Sequence, residues 1–173
     1  MIDKILVAIN SSPQSQSVFN TALFLAQATN ASMTLLHILS EQDPNYPVLS
    51  TGTYYSAFKG DNNGILQEKF DEYEQREAEF LRNLASKAIA VGVDAEYAQL
   101  SGIPGRDVCQ IADAWSADLI VVGNRGLKGL QEMFVGSVSN YITHNAPCSV
   151  LIVRSDTDLI SDSVEFTRLK KDL

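Results

Sequence analysis

The stretch DLIVVGNRGLKGLQEMFVGS, residues 118–137, decides the fold. It opens on Leu119, Ile120, Val121 and Val122, an unbroken, mostly β-branched apolar run of the kind carried by a strand buried on both faces. Gly123, Gly126 and Gly129 follow, and Gly136-Ser137 then opens a helical pattern through Val138, Tyr141 and Ile142. Strand, glycine-rich loop and helix in that order form the unit of a parallel α/β sheet. Outward from it, the same apolar signature recurs at Lys4–Asn10 (KILVAIN), Ser32–Leu39 (SMTLLHIL) and Cys148–Arg154 (CSVLIVR), with a weaker fifth run at Asp94–Leu100 (DAEYAQL). Helical periodicity fills the gaps. Val18, Ala22, Leu25 and Thr29 make one stripe, Phe70, Tyr73, Glu77, Leu81, Leu84 and Ala88 a longer one, and Val108, Ile111, Ala112 and Trp115 a third. The order βαβαβαβαβ predicts a single doubly wound α/β domain, a five-stranded parallel sheet with right-handed crossovers and helices on both faces.

One domain accounts for most of the 173 residues. It spans 1–154, with a polar, turn-rich loop insert at 41–64 and a C-terminal tail at 155–173. The chain carries 13 Lys+Arg against 21 Asp+Glu, a formal net charge of −8. Nucleic acid and anionic membrane surfaces are therefore poor partners, because both bind through clustered cations that displace counterions. The acidity is local: residues 61–100 hold nine acids against four bases, whereas residues 101–154 hold four of each. Glu68, Asp71, Glu72, Glu74 and Glu79 read as the solvated face of the second helix. The N-terminus shows no basic leader followed by an apolar segment, and no apolar run approaches the ~20 residues of a membrane helix, so the expected location is cytoplasmic. Cys109 and Cys148 read as reduced packing residues.

In an open parallel sheet, ligands bind beyond the carboxyl ends of the strands, where the strand order reverses. The loop after the Leu119 strand is thus the first place to look for a site. Its glycines permit close approach of a ligand to the main chain, and Gly136-Ser137 sets free N–H groups and a hydroxyl at the positive end of a helix. Arg125 and Lys128 add positive charge. A glycine-rich turn and helix cap with no ligand is the competing reading. The spacing is not that of a P-loop, because Lys128 precedes Gly129 and Leu130 follows. The dinucleotide fingerprint is absent too, since the first strand runs into Asn10-Ser11-Ser12-Pro13-Gln14-Ser15 without a glycine.

Gly123-x2-Gly126-x9-Gly136-Ser137 resembles the G-2x-G-9x-G-[ST] nucleotide motif of the universal stress protein (UspA-like) family, in its ATP-binding branch. Lys4–Ala8, Leu35–Ile38, Ser101–Pro104, Ala117–Gly123 and Ala146–Val153 extend the resemblance over about residues 2–154. It implies strand order 3-2-1-4-5 and a homodimer pairing Cys148–Arg154 edge strands. It also implies an adenine nucleotide, ATP or another, held at the switch point. Ala8, Ile9, Asn10 and Ile38 would hold adenine, Gly123 and Gly126 would border ribose and phosphates, and Gly136, Ser137, Val138 and Ser139 would cradle phosphate, with Val122 and Arg125 also among the nucleotide-binding residues. A divalent ion, Mg²⁺ or Mn²⁺, would be held through the phosphates and water, with no side-chain metal site. Asn10 departs from the family's usual Asp.

The strand order that the resemblance implies leaves Cys148–Arg154 on an edge, and Val150–Val153 lacks the charges that protect sheet edges, which also argues for a partner. No catalytic residue is assigned: Ser137 has no base nearby in sequence, and Pro147 breaks the spacing between His144 and Cys148. The expected function is a nucleotide-binding regulatory or signalling protein of the stress response rather than an enzyme. A protein-interaction module of the same fold and a slow ATPase stay open.

Overall fold

The computed structural model describes residues 1–41, 43, 45–47, 63–124 and 136–154. Five strands, β1 (Lys4–Ala8), β2 (Ser32–Leu39), β3 (Ala95–Ser101), β4 (Leu119–Gly123) and β5 (Ser149–Val153), alternate with helices α1 (Ser15–Thr29), α2 (Asn63–Ala90), α3 (Pro104–Trp115) and α4 (Ser137–Asn145). All neighbouring strands are parallel, in the order β3-β2-β1-β4-β5. The expected architecture is thus the observed one. β1 is shorter than expected, ending at Ala8, so Ile9 and Asn10 belong to the loop above the sheet. β3 starts and ends one residue later than expected, β4 starts at Leu119, and β5 drops Cys148 and Arg154. α2 takes Asn63 and Gly64 from the expected insert, most of whose remainder, 42, 44 and 48–62, lies outside the described residues, as does the tail.

Alternation along the central strands sends side chains into two cores. Ile5, Val7, Met33, Leu35, Leu119 and Val121 face α1 and α2, where Val18, Phe19, Ala22, Leu81, Leu84 and Ala88 cover them. Leu6, Leu36, Ile38, Ile120 and Val122 face α3 and α4 and pack on Val108, Cys109, Ala112 and Ile142. Both cysteines are free; Cys109 belongs to this second core and Cys148 packs against it. Tyr141, read from periodicity as a core position, is instead 42% exposed, its side chain lying over Gly105. Glu68, Asp71, Glu72, Glu74 and Glu79 are all exposed, as their spacing on α2 implies.

Local chemistry sets where the helices stop and start. Asn30 closes α1 in the left-handed conformation (φ 58°), its N–H donating to the Ala26 carbonyl, and Ser116 ends α3 in the same way (φ 57°). Pro104 starts α3 at a position where its missing N–H is not needed, and the Asp107 carboxylate turns back to accept the Ile103 N–H at 2.8 Å. The Asp118 carboxylate accepts the N–H groups of Asp3 and Lys4 at 2.8 and 3.0 Å, tying the start of β1 to the start of β4. Those two hydrogen bonds hold its carboxyl below the usual carboxylate range.

Candidate functional site

β1 lies between β2 and β4, so the chain leaves the sheet in opposite directions on its two sides and a crevice opens above the carboxyl ends of the three strands. Ala8, Ile9 and Asn10 enter it from β1 and its loop, Ile38 from β2, Val122 and Gly123 from β4, and Gly136, Ser137, Val138 and Ser139 from the start of α4. These ten are the expected site residues that lie within the described part of the chain, and all ten line one crevice. Arg125 and Gly126 lie outside the described residues. Bounded by the described residues and counted to its open mouth, the crevice encloses about 790 Å³.

The two flanks of the crevice differ in chemistry. Beside α3, Ile38, Val108, Val122 and Val138 offer apolar surface. At the end of α4, the first helical hydrogen bond runs from the Asn140 N–H to the Gly136 carbonyl at 2.8 Å, so the N–H groups of Ser137, Val138 and Ser139 have no acceptor within the helix. Gly136 is the N-cap residue in an extended conformation and makes no side-chain cap. Ser137 is exposed, whereas Ser139 is buried and donates its hydroxyl to the Gly136 carbonyl at 3.0 Å, shaping the turn rather than facing out. Gly123 packs closely on α1: a Cβ there would sit 3.0 Å from Val18 Cγ2, which would have to give way by a few tenths of an ångström.

The other flank holds a polar network that periodicity alone misses. His37 points toward the α1 and α2 side and is 3% exposed. Its Nε2 lies 3.0 Å from Asp43 Oδ2, and its Nδ1 lies 3.6 Å from Glu77 Oε2. Glu77 is fully buried and accepts the Ser11 hydroxyl at 2.7 Å, with the Arg76 guanidinium 3.6 Å from the same oxygen. Tyr46 meets the rings of Phe70 and Tyr73 edge-on, at 5.8 Å between centroids in each case. Burial raises the Asp43 carboxyl, but the hydrogen bond and charge of His37, with Tyr73 and the Asn45 N–H, outweigh it and hold the group below its ordinary value. Burial and the neighbouring Asp43 carboxylate push the Tyr73 phenol up. Glu77 falls on the apolar stripe of α2 at helical spacing from Tyr73 and Leu81; a charged residue at a core position is the one signal in the sequence that could have pointed to this network. Among the described residues, no group of three or more His, Cys, Asp or Glu side chains is arranged to hold a metal ion. No described helix is long and apolar enough to cross a membrane.

A doubly wound α/β domain with a small-molecule crevice at its switch point, walled on one side by a helix N-terminus, is the class of protein that the fold and site define. Comparison with known proteins takes this further. The Universal stress protein family matches residues 1–154, and the chain belongs to that family. Universal stress protein Sll1388 of Synechocystis is 34% identical over 155 residues, covering 87% of this chain and 97% of the relative. Universal stress protein UspA from Lactobacillus plantarum shares the fold at a TM-score of 0.69 and 23% identity, covering 88% of this chain and 98% of that one. A universal stress protein family protein from Arabidopsis thaliana, solved with AMP bound, shares it at 0.57 and 21% identity, covering 90% and 94%.

Proposed function

We propose that this protein binds an adenine nucleotide in the switch-point crevice and uses the bound state as a regulatory signal in the stress response. The observation that carries the reading is the convergence of ten residues from four separate segments on one crevice bounded by the first N–H groups of α4, which have no acceptor within the helix. A base fits between Ile9, Ile38 and the apolar side chains beside α3. Phosphates fit at Gly136–Ser139, where N–H groups and the helix dipole favour an anion. That the Arabidopsis family member was solved with AMP bound supports an adenine nucleotide as the ligand. ATP, with Mg²⁺ or Mn²⁺ held through its phosphates and water, is the fuller form of the reading, and Arg125 and Gly126 would border those phosphates.

The protein acts in the cytoplasm as a homodimer, its two β5 edges paired, since residues 150–153 of that strand are all apolar and only half-buried. Light scattering on the purified protein tests the dimer, and a monomer mass removes it. Calorimetric titration with ATP, ADP, AMP and cyclic AMP tests the site. Binding to the wild type that falls at least tenfold in a Gly126→Val, Ser137→Ala double variant is the expected result. Absence of binding to the wild type, or equal binding by the variant, sinks the reading. Thermal stability unchanged by every nucleotide would favour a protein-interaction module, with the exposed acidic face of α2 as its contact surface.

A further inference from the structure

Asn10 lines the crevice at the point where β1 gives way to its loop, and its side chain is committed in a specific way. Oδ1 accepts the Ser12 backbone N–H at 3.3 Å and the Ser15 hydroxyl at 3.2 Å. A backbone N–H can only donate, so the atom turned toward it is the oxygen, and the amide orientation is determined by the loop itself. Both acceptor sites of that oxygen are then occupied within the protein. Nδ2 makes no hydrogen bond among the described residues. Asparagine at this position therefore offers a ligand donors only. An aspartate making the same two loop contacts through one oxygen would present its second oxygen, an acceptor, in the place of Nδ2.

We propose that Asn10 reads the hydrogen-bonding polarity of the bound base and admits 6-oxopurine nucleotides on at least equal terms with 6-aminopurine ones. This rests on the nucleotide reading above and adds to it that the Asn10 amide meets the six-position of the purine. The adenine amino group carries only donors in the ring plane and gains nothing from a second donor. The carbonyl of hypoxanthine accepts from it.

The test compares AMP with IMP, which differ in the six-substituent and the N1 proton, by calorimetric titration of wild type, Asn10→Asp and Asn10→Ala. Wild type is expected to bind IMP at least as tightly as AMP. Asn10→Asp is expected to shift the ratio toward AMP by about tenfold, the scale of one hydrogen bond gained and one lost. Asn10→Ala, which needs no loop contact to be rebuilt through a charge, shifts it by a few-fold in the same direction. A wild type preferring AMP tenfold overturns the proposal. So does a ratio unchanged in both variants, as it would be if Asn10 faced the ribose, or one shifted toward IMP, as it would be if Asn10 donated to ring N1. Binding of neither nucleotide to the wild type overturns the nucleotide reading along with it, whereas tight binding with an unmoved ratio overturns this inference alone.

Discussion

The two flanks of the crevice are built on opposite principles. Beside α3, Ile38, Val108, Val122 and Val138 form an apolar wall that continues into the second core. Such a wall is held by the sum of many weak contacts, so small changes in shape cost little and each residue acts nearly alone. Across the crevice, Ser11, His37, Asp43 and Glu77 form a buried polar chain in which each group depends on its neighbour. Removing one member leaves the rest desolvated and unpaired. The flank made of charges is therefore the fragile one, although charge as such adds little net stability to a fold.

The sharpest way to break that contrast is Glu77→Ala. With Glu77 fully buried and accepting from Ser11, its loss should destabilise the domain by about 3–5 kcal/mol, the range for removing one partner of a buried pair. Urea unfolding measures this, and a loss under 1 kcal/mol would place Glu77 among the independent residues. Next in size is the coupling of His37 to Asp43. A double-mutant cycle of His37→Asn and Asp43→Asn should give an interaction free energy of about 0.5–3 kcal/mol, while the same cycle on Val108→Ala and Asp43→Asn should give nearly none.

Acid sharpens the comparison further. Because the folded-state pKa of Asp43 is depressed, its contribution is present above the unfolded carboxyl value of about 3.9 and disappears as pH falls through the lower folded value. The stability difference between wild type and Asp43→Asn should accordingly shrink between pH 5 and the acid limit, about where carboxylates take up protons. A difference constant over that range would show that the His37 contact does not act through charge. On the apolar flank, Ile38→Val should cost only about 0.5–1.5 kcal/mol with no pH dependence. The smallest effect is expected at Glu72→Gln on the exposed face of α2, within about ±0.5 kcal/mol.

The apolar wall was legible because its residues obey a period. Val122 sits in an unbroken strand run, Val108 at helical spacing from Ala112, and both follow from backbone geometry that repeats along the chain. The motif spacing was legible for a related reason: Gly123 and Gly136-Ser137 bracket a strand-to-helix connection whose place at the switch point follows from the order of elements. Glu77 was legible only as an oddity, a carboxylate in an apolar stripe. Its partners Ser11, His37 and Asp43 come from three other parts of the chain, and no local pattern announces that they meet. Tyr141 erred the other way, since a helix of nine residues does not show which of its apolar side chains the neighbouring Gly105 leaves uncovered.

By itself, then, the sequence determined the doubly wound sheet, its strand order once the family resemblance is used, and the segments that surround the crevice. These depend on periodicity and on glycine and proline chemistry, which act over a few neighbouring residues. Only the tertiary structure decided which atoms remain free to meet a ligand. Asn10 carries both donors and an acceptor in the sequence, but the fold brings Ser12 and Ser15 onto its oxygen and leaves the donors without a partner among the described residues. Hydrogen-bond capacity is consumed by whatever folding brings within about 3 Å, and that is a property of three-dimensional packing rather than of residue type.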